Sequence, residues 1–89
     1  MSTTDPGGHA GSKAAHERAA TTQDRAADVH EESANLHEEH AVEMREKGYL
    51  ARAQRAERIA DHERELAHRE RARADSHRRR AGAEPVPAD

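Results

Sequence analysis

The apolar positions between Ala19 and Met44 return every seven residues. Ala20, Ala27, Ala34 and Ala41 hold one phase, and Ala19, Ala26, Ser33 and His40 hold the phase before it. Thr22, Val29 and Leu36 form a third, and Gln23, His30, His37 and Met44 a fourth. A seven-residue period draws these phases into one stripe of an α-helix, and it is the period of helices that pack on helices. A second run, from Tyr49 or Leu50 to about Arg80, repeats in the same way: Ala53, Ala60, Ala67 and Ala74; Ile59 and Leu66; Ala56, Glu63, Glu70 and His77. Good helix formers, chiefly Ala, Glu and Arg, fill both runs.

Punctuation sets the boundaries. Residues 1–12, rich in Gly, Thr and Ser, read as a disordered tail. Ser12 can cap a helix that starts at Lys13. Thr21 and Asp24, at capping-box spacing, offer a second start. Gly48 after Lys47 is the arrangement of a helix C-terminus. Gly82, Pro85 and Pro87 end the second run, and residues 82–89 read as a second disordered tail.

The frames of the two runs decide between one long helix and two. With Ala19, Ala26, Ser33 and His40 at heptad position a and Val29 and Leu36 at d, an unbroken helix would put Gln54 and Asp61 at a. The second run instead has Ala56, Glu63 and Glu70 at a, with Ile59 and Leu66 at d, a slip of two residues across Gly48. A continuous seam does not survive such a slip without rewinding. The expected fold is therefore all-α: an antiparallel two-helix hairpin, coiled-coil-like, with helices at about 13–47 and 50–80 and a turn near Gly48. Matching the two stripes predicts the layers Leu36–Glu63, Val29–Glu70, Ser33–Leu66 and His40–Ile59. The expected interaction stripe is Ala26, Val29, Ser33, Leu36, Ala56, Ile59 and Leu66.

Charge supports the fold-back. Residues 13–47 carry nine acidic and five basic side chains, whereas residues 49–81 carry six acidic and ten basic. Helices of net −4 and +4 side by side relieve each other's repulsion, and the same complementarity can act between chains. Composition adds that the 89 residues hold no Trp, Phe or Cys and one Tyr. So few large apolar side chains make a marginal monomer, which self-association or a partner helix would stabilise. Without Cys there is no disulfide framework and no thiolate site. No apolar run reaches the length of a membrane span, and a soluble cytoplasmic protein is expected.

Eight His residues are the main candidate chemistry. His37 and His40, three apart on a helix, could both reach one ion, with Glu63 as a third ligand across the hairpin. The run His37-Glu38-Glu39-His40 is one residue short of the zinc-protease helix, whose two His stand four apart. Glu65 and His68 have the spacing of a di-iron bundle element, but Leu66 and Ala67 carry the stripe and turn them outward. His30 and His37 lie beside the seam, with Glu70 and Glu63 as their nearest acidic partners, which suggests a response to pH. The cluster His77-Arg78-Arg79-Arg80 suits a helix C-terminus, and the chain lacks stacking aromatics, so nucleic acid is not an expected partner. No nucleophile context and no Gly-rich phosphate loop is present, so neither enzymatic activity nor a cofactor is expected.

The recurring units His30-Glu31-Glu32, His37-Glu38-Glu39 and Ala34-Asn35-Leu36-His37 resemble those of short uncharacterised Ala/Glu/His/Arg-rich helical, coiled-coil-like proteins of GC-rich bacteria, over residues 13–80. The resemblance implies a helical fold and no activity. The expected function is that of an interaction or structural protein that self-associates or docks on another helical protein. A hydrophilic, conditionally disordered stress-protective chain is the alternative that low hydrophobicity allows. A weak His-based metal or pH-responsive binder is a third reading.

Overall fold

A computed structural model describes residues 8–83, with side chains from Ser12 onward. The chain forms two helices, α1 (Gly8–Glu46) and α2 (Leu50–Ala83), packed antiparallel along their length. The two-helix hairpin expected from the frame slip is the observed fold. It is a flat rod of 69 × 23 × 13 Å, one helix thick.

Both helices overrun the expected limits. α1 begins at Gly8 rather than Lys13, so Ser12 lies inside it, and α2 continues through Gly82 to Ala83. Thr21 caps nothing. Its hydroxyl donates back to the Glu17 carbonyl at 3.1 Å, a contact of helix interiors. Of the tails expected at residues 1–12 and 82–89, residues 8–12 and 82–83 are helical, and residues 1–7 and 84–89 lie outside the described residues.

The turn is a Schellman motif. Gly48 N–H donates to the Arg45 carbonyl at 3.0 Å and Tyr49 N–H to the Met44 carbonyl at 2.7 Å. Gly48 has φ of +82°, a left-handed conformation that L side chains avoid. The Tyr49 carbonyl then accepts from Ala53 N–H at 3.0 Å, so the residue that closes α1 also opens α2. Tyr49 offers no side-chain acceptor of the usual N-cap kind, and its ring instead receives the Arg52 guanidinium at 5.2 Å.

The core corrects the expected layering. The buried apolar side chains are Ala20, Ala27, Ala34, Ala41 and Met44 on α1, and Ala53, Ala56, Ala60, Ala67, Ala74 and Ala81 on α2. Alanine therefore makes the seam, and the second seam position is shared by Gln23, His30, His37 and Met44 facing Ala56, Glu63, Glu70 and His77. Val29 and Leu36, expected as d-layer residues, are 63% and 60% exposed, and Ile59 is exposed too. Continuity explains the outcome. The Ala phases run unbroken through every turn, whereas Thr22 and Glu43 interrupt the phase of Val29 and Leu36. Small side chains also let two helices approach closely, so that backbone and Cβ atoms supply the packing.

Candidate functional site

Around the Ala seam the heptads give the hairpin two unlike faces. On one face, Arg45 pairs with Glu57 at 2.5 Å, Arg64 with Glu38 at 2.6 Å, and Arg71 with Asp28 and Glu31 at 3.1 and 2.8 Å. Arg78 joins Asp24 in the same row. Except for Arg45–Glu57, each pair sets an acid of α1 against an arginine of α2, as the opposed net charges predict. The carboxylates around Arg71 and Arg78 hold both guanidiniums above their ordinary pKa, chiefly through hydrogen bonds to Glu31 and Asp24 respectively.

The opposite face carries Ala19, Ala26, Ser33 and His40 of α1, with Val29 and Leu36 beside them, and Arg52, Ile59, Leu66 and Arg73 of α2. None of these makes an ion pair among the described residues. Six of the seven residues expected as the interaction stripe therefore gather on one face of the hairpin: Ala26, Val29, Ser33, Leu36, Ile59 and Leu66. Ala56 is buried in the seam instead.

Between the faces lies a polar layer. His30 Nδ1 contacts Glu63 Oε2, and His30 Nε2 contacts Glu70 Oε1 at 3.0 Å. A neutral imidazole has one N–H and can donate to one carboxylate alone, so this arrangement calls for the imidazolium. The hydrogen bond to Glu63 raises the His30 pKa above its ordinary value; partial desolvation opposes it, and the charges of Glu70 and Glu63 reinforce it. Glu70 Oε2 is buried without a hydrogen-bond partner, which leaves His30 as the main compensation for that carboxylate. Of the two His expected beside the seam acids, His30 takes both. Nearer the open end, His16 and His77 meet Nδ1 to Nδ1 at 3.0 Å with ring centroids 5.3 Å apart.

The metal site proposed for His37, His40 and Glu63 is not assembled. Glu63 turns to His30, and His37 Nδ1 donates to the Ser33 carbonyl at 2.8 Å. His37 and His40 do share an open groove with Ala56 and Ile59, but Arg52 and Arg55 line it as well and repel a cation. Among the described residues no group of three or more His, Asp or Glu is placed to hold a metal ion. Sequence reasoning missed the His16–His77 pair, whose signal was the heptad phase that His77 shares with Glu63 and Glu70.

No family model, curated protein or solved structure matches this chain. The candidate site is thus defined by its own geometry: an extended hairpin with exposed apolar side chains, of which Val29, Leu36 and Ile59 share one face while Val42 lies on the ion-pair side and Tyr49 and Leu50 at the turn. Within the described residues no helix is long and apolar enough to cross a membrane.

Proposed function

We propose that this chain is a non-enzymatic helical interaction protein that self-associates through the face bearing Val29, Leu36, Ile59 and Leu66. The observation that carries this reading is the exposure of Val29, Leu36 and Ile59 on the face opposite the ion pairs. Such a patch on a chain so poor in large apolar residues is an unused contact surface. Single exposed apolar residues are ordinary, but these recur at helical spacing on both helices. Leu36→Ala and Ile59→Ala test it. Both side chains are solvated in the hairpin, so each variant should keep hairpin stability within about 0.5 kcal/mol. Burial in an interface would instead make each truncation cost roughly 2–5 kcal/mol of association. Unchanged sedimentation of both variants would remove the face as the contact.

One observation favours a second reading, the stress-protective, conditionally disordered chain. Ten of the eleven buried apolar side chains are Ala, which bury little apolar surface each. Circular dichroism over a concentration series separates the two. A helical signal that falls on dilution supports assembly, and a coil signal at every concentration supports the second reading.

A further inference from the structure

We infer that the apolar face is occupied by a second copy of this chain, in a four-helix bundle whose two-fold axis runs along the hairpin. In this arrangement α1 of each copy lies antiparallel on α2 of the other. The inference rests on the self-association proposed above and adds its geometry.

A hairpin that buries one flat face against its own copy has two symmetric choices. A two-fold axis across the helices stacks α1 on α1 and α2 on α2. A two-fold axis along the helices stacks α1 on α2, twice. Charge selects between them. Glu43 of α1, in the heptad phase of Val29 and Leu36, is exposed and makes no ion pair among the described residues. Arg52 and Arg73 of α2, in the phase of Ile59 and Leu66, and Arg55 beside them are exposed and equally without an ion pair within that set. Stacking like helices would bring the arginines of two α2 helices together, and stacking unlike helices brings Glu43 to them instead.

Register agrees. The pairs Glu38–Arg64 and Glu31–Arg71 fix which residues of α1 and α2 stand level within one hairpin. A two-fold axis along the helices leaves heights unchanged, so the same alignment holds between copies. It sets Leu36 level with Leu66 of the second copy, and Glu43 level with the segment holding Arg55, Arg58 and Ile59. Ala19, Ala26 and Ser33 supply small side chains where α1 faces the partner, which permits close approach. The apolar face runs along the long dimension of a molecule 69 Å in extent, which suits an elongated interface of the usual size, about 800 Å² from each partner.

The absence of Cys allows single labels to be placed at will. Spin labels at Thr21→Cys, Asn35→Cys and Val42→Cys, each on the full-length chain, lie on exposed positions away from the apolar face. With the axis along the hairpin, like labels on the two copies stand level at all three sites, and the three distances agree within a few ångström. With the axis across the helices, the separation grows by about 3 Å for each residue away from the crossing point, twice the helical rise. Three similar distances support the inference. A dimer whose distances diverge along the helix overturns the arrangement while leaving self-association intact. A monomer by sedimentation, or capture of a different protein on this face with no dimer, overturns both. Reversal of charge adds an independent check: Glu43→Arg should weaken the dimer several-fold, and adding Arg55→Glu should restore it.

Discussion

Replacing Gly48 by alanine isolates what makes this chain a hairpin rather than a rod. An added Cβ at Gly48 meets nothing within 4 Å, so no steric clash contributes. The penalty is conformational alone: holding an L-residue at φ of +82° costs about 1–2 kcal/mol. In a straightened chain the same residue is an ordinary helical position, where alanine is favoured over glycine by about 1 kcal/mol. The balance between hairpin and straight helix therefore shifts by roughly 2–3 kcal/mol, or about 30- to 150-fold. A straightened chain exposes its Ala seam and recovers it by pairing with another straightened chain, a domain swap. The hairpin has a radius of gyration of 20.3 Å. A continuous helix from Gly8 to Ala83 would be roughly 114 Å long, with a radius of gyration of about 33 Å. Small-angle scattering and sedimentation of Gly48→Ala should show elongated dimers growing with concentration, and the monomer's melting temperature should fall by roughly 5–15 °C. Gly82→Ala is the control. Its Cβ site is equally open and its backbone is helical, so the substitution should be neutral or stabilising by at most about 1 kcal/mol. Unchanged melting and scattering in Gly48→Ala, or an equal loss in Gly82→Ala, would refute the reasoning.

Other outcomes follow from the same geometry. Because Glu63 and Glu70 of α2 raise the His30 pKa, the imidazolium's contribution is complete below the ordinary value near 6.5 and is lost as pH rises through the raised one. Thermal melts should therefore show a hairpin more stable in mild acid than above neutrality, with the difference abolished in His30→Gln; an unaltered difference in that variant would remove His30 as its source. The His16–His77 contact ties the two helices near the open end, so His77→Ala should quicken amide exchange there and leave exchange around His30 unchanged. Arg71→Ala loses two exposed ion pairs and should lower the melting temperature only slightly, and less at high salt. A larger, salt-independent loss would mean that the arginine stem packs rather than pairs.

Much of this architecture was legible in the chain. The frame slip and Gly48 placed the turn, since a left-handed residue after Lys47 ends one helix and no seam crosses it. The opposed charges of the two runs anticipated the row from Asp24–Arg78 to Glu38–Arg64. The seam lies one helical position from the expected one on α1, because continuity of small residues outweighs the size of a few large ones. Val29 and Leu36 are strong apolar signals individually, but close packing of two helices demands a small residue at every turn, which Ala20 to Ala41 supply. The same shift explains the failed ligand set: with Ala34 and Ala41 facing α2, His40 turns away from Glu63. Which imidazole Glu63 would choose depended on side-chain reach across the seam, and no periodicity encodes that.

An alanine seam is also nearly blind to register. Sliding α1 past α2 by seven residues again lays alanine on alanine, so the apolar core does not by itself know where the helices should stop. That knowledge resides in Gly48, in Met44 beside the turn, and in His30 between its two carboxylates. Such a molecule behaves as a ruler. Seven residues added to each helix at the same level would lengthen it by about 10 Å and leave its cross-section, its two faces and its turn unchanged. Length can thus vary over evolutionary time in whole heptads while the contact surface keeps its shape, and any partner that reads the face meets the same pattern at a different reach.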